Sequence, residues 1–302
     1  MNSNDYWQKQ PLDKPLFPDV LWSKPERRDT AGKLAIVGGN SRGFASVAAA
    51  YQTALSTGVG QAQVILPDIL KRPLSSQSPT SFGEDGLTPN RQTVADEASR
   101  GGHGLTERTL DSASKPTNYI FAPSNPSGGL AKEALTALNT AANWANLILF
   151  IGDNGQNSET AALFETFLEH NTTTPVVITR DAVDLIKNTA ETVLNRAPTH
   201  LIVSLSQLQK LFQSVYYPRV VTFSQGVKQI AETLHKFTIT YPCTITLWHA
   251  GNLLVARAGQ VVSQEFDQPM RIWSGEIATR QAVWQIWNAD IVQAAATAWT
   301  EL

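Results

Sequence analysis

Residues 32–67 read GKLAIVGGNSRGFASVAAAYQTALSTGVGQAQVILP. Leu34 to Val37 is a short apolar run of strand character, and GGNSRG follows it at 38–43. Ala45 to Thr57 is rich in Ala and broken only by Gln52 and small polar residues, which predicts a helix. Gly58 and Gly60 suit a left-handed cap at its end, and Ala62 to Leu66 resumes as a strand. Strand, glycine turn, helix and strand close naturally as a parallel βαβ unit.

The alternation returns at Asn118 and runs almost to the end of the chain. Strands are predicted at Tyr119 to Ala122, Leu147 to Ile151, Val176 to Thr179, Leu201 to Ser204, Val220 to Thr222, Thr244 to Leu247 and Leu253 to Ala256. Helices are predicted at Leu130 to Trp144, Glu159 to His170, Ala182 to Lys187, Gln207 to Phe212 and Val227 to Phe237. Val283, Trp284, Trp287, Ile291, Ala294 and Ala298 fall at helical spacing, giving a closing helix whose aromatic face packs on the sheet or, in a homo-oligomer, on a second subunit. Residues 71–115 are polar and interrupted by Gly and Pro, and read as a flexible excursion from the core. Residues 1–31 read as an N-terminal extension and 32–302 as one α/β domain with a mainly parallel sheet.

The chain has 302 residues, 24 Lys+Arg against 26 Asp+Glu, and 42% apolar residues. The near-neutral balance supplies no field to gather a phosphodiester backbone, so nucleic acid is not an expected partner. Apolar runs such as Leu147 to Ile151 are far short of the roughly 20 residues that cross a bilayer, and MNSNDYWQKQPLDKP lacks the features of an export signal. One cysteine, Cys243, excludes an internal disulfide framework, and five scattered histidines offer no zinc-ligand spacing. A cytoplasmic location is expected.

Four loops carry chemistry. Gly38-Gly39-Asn40-Ser41-Arg42-Gly43 brings backbone amides, a helix start and Arg42 to one place, as a phosphate-bearing ligand requires; a plain tight turn is the alternative. It matches neither GxGxxG nor GxxxxGK[ST]. Gly152-Asp153-Asn154-Gly155 repeats the strand–loop–helix arrangement, with Asn157 or Ser158 able to cap the helix that follows. Two such loops at one end of a sheet point to a nucleotide-like ligand. Asp181, ending the third segment, either contacts a ligand or starts a helix. Trp273-Ser274-Gly275-Glu276 offers helix-terminal amides to an anion with Glu276 as base or ligand contact, or else Glu276 simply complements the helix dipole. His200 and His249 stand alone and read as packing or surface residues. No Ser-His-Asp order is defined.

In sequence order these loops resemble the ribokinase-like family of ADP- or ATP-dependent NAD(P)H-hydrate dehydratases, the YjeF C-terminal type of domain. The match is specific over 32–67. Farther on, FIGDNGQNSET resembles the family's G-P-G-x-G loop, PVVITRDAVDLI its V-L-D-A-D-A-L strand end and HLIVSLSQLQKLF its T-P-H-P-G-E segment. TITLWHAGNLLVA resembles its V-L-K-G-A-x-T-x-I-A hairpin and RIWSGEIATRQAV its G-[ST]-G-D-V-L-A-G anion hole. The resemblance implies a three-layer α/β/α fold, a role in nicotinamide nucleotide repair, ADP or ATP as co-substrate, and Mg²⁺.

The resemblance further implies a substrate set of Gly38, Gly39, Asn40, Ser46, Gly152, Asp153, Gly155 and Asp181, facing NAD(P)H hydrate or another nucleotide-like molecule. Trp248, His249, Ala250, Gly251, Asn252, Ser274 and Gly275 would face the nucleotide, with Glu276 as the catalytic carboxylate. No protein ligand to a metal is implied. The departures fall on functional positions: Glu276 replaces Asp, Trp248-His249 replaces Lys-Gly, Gln207 replaces Glu, Thr179 replaces the first Asp of D-A-D, and the family's His has no counterpart. Those losses leave two alternatives beside a divergent dehydratase: a catalytically inactive nucleotide or dinucleotide sensor, and a small-molecule kinase.

Overall fold

The apolar run at 34–37 becomes β2 (Lys33–Gly38), the Ala-rich stretch becomes α1 (Ala45–Thr57), and Gly58, at φ 114, ends the helix before β3 (Gln61–Pro67). This computed structural model describes residues 6–71 and 118–301, so the polar excursion assigned to 71–115 lies, but for Lys71, outside the described residues.

After β4 (Tyr119–Ala122), helices and strands alternate as α2 (Leu135–Trp144), β5 (Leu147–Gly152), α3 (Ser158–His170) and β6 (Val176–Thr179). Then follow α4 (Asp181–Leu185), α5 (Ala190–Asn195), β7 (Thr199–Val203), α6 (Leu205–Ser214) and α7 (Val227–Thr240). The hairpin strands β8 (Thr244–His249), β9 (Asn252–Arg257) and β10 (Gln260–Glu265) lead to α8 (Met270–Trp273), α9 (Glu276–Trp287) and α10 (Ile291–Trp299). An additional strand, β1 (Trp7–Gln10), precedes them all.

The sheet order is β1-β10-β9-β8-β7-β6-β5-β2-β3-β4, parallel throughout except for β9, which runs against both its neighbours. Both faces are covered, which is why the central strands are apolar at nearly every position rather than at alternate ones. Phe150 sits on one face against Phe164 and Phe167 of α3, its ring centroid 4.7 Å from that of Phe164. α1 and α9 cover the other face beside β2 and β5, and α10 continues that layer over β9 and β10. The chain leaves β2 toward β3 and β4 on one side and returns as β5 on the other, so the β2–β5 boundary is where strand order reverses. Open α/β sheets bind ligands at the carboxyl ends of strands flanking such a reversal.

Three expectations need correcting. Val220 to Thr222 is a loop, because glutamine side chains take the place of a neighbouring strand: Val221 donates its amide to Gln209 Oε1 at 2.7 Å and Thr222 to Gln225 Oε1 at 3.0 Å. The helix predicted from Leu130 begins at Leu135, since Leu130 bridges to Ser124 and its carbonyl accepts from Asn125 and Thr160 side chains. The closing helix is two helices, α9 and α10, separated where Asp290 accepts the amides of Val292 and Gln293 at 3.0 and 3.1 Å and starts a new N-terminus. β1, β10, α5 and α8 have no counterpart among the predicted elements.

Candidate functional site

The first two glycine loops lie side by side at the β2–β5 boundary. Gly38 is required there by steric contact, since a Cβ on it would meet the carbonyl oxygen of Gly152 and the Val47 side chain. Gly39 donates its amide to Gly152 O at 3.0 Å, and Asn40 donates from Nδ2 to Asp153 O at 2.6 Å. The two loops thus form one platform.

The groups expected to receive a ligand on this platform are already matched within the chain. The Asp153 carboxylate accepts the Ser46 amide at 2.8 Å and the Ser46 hydroxyl at 3.1 Å, closing the start of α1. Asp181 accepts the Asp153 amide at 2.8 Å on one oxygen and the amides of Asn154 and Gly155, at 2.9 and 3.0 Å, on the other. Three convergent amides make an anion site, and here the anion is the protein's own carboxylate. Burial pushes the Asp181 carboxyl above its ordinary value, with the three amides pulling the other way.

Arg180 links this platform to the fourth loop. Its Nη2 pairs with Asp153 Oδ1 at 2.8 Å while Nη1 donates to the Trp273 carbonyl at 2.6 Å. Its backbone carbonyl accepts from Gln207 Nε2 at 2.7 Å, and its Nε is buried without a partner. Both Asp153 and Arg180 have positive φ, 59 and 57, a conformation that non-glycine residues adopt at a cost and that clusters at functional sites.

In the fourth loop Gly275, at φ 85, is the N-cap of α9 and has no side chain with which to cap it. Glu276 sits in its first turn, where it accepts from Arg271 Nη2 at 2.6 Å and Nε at 2.9 Å and from Arg280 Nε at 3.2 Å. Hydrogen bonding from Arg271 holds the Glu276 carboxyl below the usual carboxylate range and raises Arg271 in turn. Ser274 places its hydroxyl 3.4 Å from the Glu276 amide and donates to Arg271 O at 3.1 Å.

The β8–β9 hairpin turns at Ala250 and Gly251, both at positive φ. Trp248 and His249 face protein carbonyls: Trp248 Nε1 donates to Phe266 O at 2.9 Å and His249 Nε2 to Gln225 O at 2.6 Å. Ala250, Gly251 and Asn252 instead line a cavity of about 560 Å³ with Asp267, Gln268 and Arg271. Ser274 and Gly275 are not part of its lining; Arg271 reaches them through Glu276. The candidate site therefore divides into a closed platform of Gly38, Gly39, Asn40, Ser46, Gly152, Asp153, Gly155 and Asp181, and an open region running from the start of α9 past Arg271 to the hairpin turn.

Sequence reasoning quoted Arg180 and Arg271 within motifs but assigned neither a role. The signal available was a basic residue immediately beside each candidate carboxylate loop. Among the described residues no three His, Cys, Asp or Glu side chains converge as a metal site, and Asp153, Asp181 and Glu276 are committed to amides and guanidiniums. The described donors thus do not fit a protein-held Mg²⁺. No helix among those described is long and apolar enough to cross a membrane.

A predominantly parallel sheet between two helical layers, with loops gathered at the strand-order reversal, is the ribokinase-like α/β/α fold. Solved structures with this architecture include a ribokinase-like superfamily protein from Enterococcus faecalis V583, at TM-score 0.64 and 13% identity over 98% of this chain and 86% of that one. The ADP/ATP-dependent NAD(P)H-hydrate dehydratase of Bacillus subtilis, co-crystallised with ATP and Mg²⁺ and soaked with CoA, superposes at TM-score 0.54 and 12% identity, covering 94% of this chain and 85% of that one. YxkO of Bacillus subtilis, a member of the UPF0031 family, does so at TM-score 0.55 and 10% identity with the same coverage. No family model and no curated protein sequence matches the chain.

Proposed function

We propose that this protein binds ADP or ATP through its phosphates at the start of α9, between Arg271 and the Ala250–Asn252 turn, as a divergent relative of the NAD(P)H-hydrate dehydratases. The observation that carries the reading is the contrast between helix starts. Asp153 closes α1 and Asp181 closes the second glycine loop with carboxylates, whereas α9 has a glycine N-cap and only a 3.4 Å contact from the neutral Ser274 hydroxyl to its first amide, and lies next to an arginine in a cavity wall. Amides without a carboxylate cap, the positive end of a 12-residue helix and a guanidinium together favour a phosphate.

In the dehydratase reading the nucleotide's terminal phosphoryl group is brought against the ring hydroxyl of the hydrate, which then leaves as phosphate. The chain's residues would contribute positioning and charge stabilisation. Glu276 is the carboxylate beside that phosphate, and it can accept a proton only when Arg271 turns from it to the incoming anion. The clamp on Glu276 favours a second reading, nucleotide binding without turnover, since an ion-paired carboxylate with lowered basicity is a poor general base.

Calorimetric titration with ADP and ATP tests the binding, and recovery of reduced-nicotinamide absorbance from NADH hydrate tests the chemistry. Saturable binding with repair supports the dehydratase reading. Binding with neither repair nor nucleotide consumption leaves the sensor reading, and no binding removes both.

A further inference from the structure

A second cavity, of about 580 Å³, opens at the opposite end of the sheet, where β5, β6 and β7 begin. Its walls are apolar, formed by Pro175, Pro198, Ile286 and Ile291, and its polar groups include Arg257 and Gln285. That volume is within the range of small-molecule pockets, and apolar walls with a few placed polar groups are their usual composition.

Arg257 ends β9 and is half-buried. It forms no ion pair with a described residue, whereas Arg180, Arg271 and Arg280 at the other end of the sheet are all paired with carboxylates. Burial, and after it the nearby charge of Arg257, drives the fully buried His200 down to about 3, so the ring stays neutral. Gln285 Nε2 donates to Nδ1 of that ring at 2.6 Å, and the remaining ring nitrogen donates to Thr246 Oγ1 at 2.8 Å. The cavity is thus lined by Gln285, held in place by the buried neutral His200, and by a single guanidinium with no counter-charge among the described residues. A half-buried cation in such a setting is stabilised by an anion of matching geometry.

We infer that this cavity is a binding site for a small monocarboxylate with an apolar or aromatic body, its carboxylate on Arg257 and its body between the proline and isoleucine walls. One guanidinium matches one carboxylate in charge and in its two parallel hydrogen bonds. A phosphate dianion would leave charge unmatched beside apolar walls. The site stands apart from the start of α9, because its cation and its lining residues are different ones.

The test is calorimetric titration of the full chain with phenylacetate and octanoate, using phenylacetamide as the neutral counterpart of the first. Phenylacetate or octanoate should bind saturably, Arg257→Gln should weaken binding by about 10- to 100-fold, and phenylacetamide should bind wild type about as weakly. Arg271→Gln, at the other end of the sheet, should bind the carboxylates as wild type does. Absence of saturable binding of both carboxylates to wild type would overturn the inference. So would equal affinity for phenylacetate and phenylacetamide, which needs no variant, or a loss that follows Arg271 rather than Arg257.

Discussion

Arg180 and Asp153 meet across the carboxyl ends of β6 and β5, Nη2 to Oδ1 at 2.8 Å, and each has a positive φ there. Two unfavourable conformations maintained by one ion pair make the pair the fixed point of the platform, since Asp153 also closes α1 and Arg180 also holds the 273–275 turn. Asp153→Ala removes the helix closure and leaves the guanidinium unmatched. It should lower stability by about 2 kcal/mol, read as a lower urea midpoint with an unchanged slope.

Asp181→Ala should uncover the three amides of Asp153, Asn154 and Gly155. The variant is expected to lose about 1–3 kcal/mol and to regain part of it when inorganic phosphate is added, while wild type gains less. Thermal unfolding across a phosphate series measures both. Equal phosphate responses would mean that the loop does not keep its shape without the carboxylate.

Glu276→Gln separates chemistry from binding. If the dehydratase reading holds, hydrate repair should fall by about 100- to 10,000-fold, while ADP affinity stays level or rises because Arg271 is released to the phosphate. The same variant has a pH signature. A carboxyl held below its ordinary 4.5 contributes stability that is fully present above that pH and is lost as pH falls through its lowered value. The wild type should exceed the variant in melting temperature at neutral pH, and the gap should close on acidification.

His200 gives a pH dependence of different origin. It is neutral when folded and protonates below 6.5 when unfolded, so the unfolded chain binds the extra proton. Stability should decline as pH falls from 6.5 toward 3, by up to about 1.4 kcal/mol per pH unit. Urea unfolding of wild type and His200→Gln at several pH values should show a shallower slope in the variant.

His249→Ala should behave as a structural lesion. Its ring nitrogen ties β8 to the Gln225 carbonyl, so the expected cost is about 1 kcal/mol of stability with little change in ADP affinity. A large loss of affinity in the folded variant would return His249 to the nucleotide surface.

What could be read from sequence follows from local pattern. The unit at 32–67 was legible because strand, glycine turn, Ala-rich helix and capping glycines are each encoded within a few residues of one another. β1 was not legible: WQKQ has no apolar alternation, and its strand character comes from pairing Trp7 with Val261 and Gln10 with Gln264. Val220 to Thr222 has strand composition, but Gln209 and Gln225 satisfy its amides before any strand can. The sequence marked the loops after β2, β5 and β6 and before α9 as candidates. It did not show that Asp153 and Asp181 fill the amides those loops offer, because each carboxylate reaches its partners through the packing of β2, β5 and β6.

The pairing of β1 with β10 has a consequence for synthesis. Gln10 donates to Gln264 Oε1 at 2.6 Å and to Ala296 O at 2.8 Å, joining residues 254 and 286 positions apart along the chain. While the central strands are being made, the Trp7–Gln10 segment has no β10 edge to join. The β1–β10 seam therefore closes only after residues 260–265 have been made, and until then the edge of the Trp7–Gln10 segment is open to pairing with another chain.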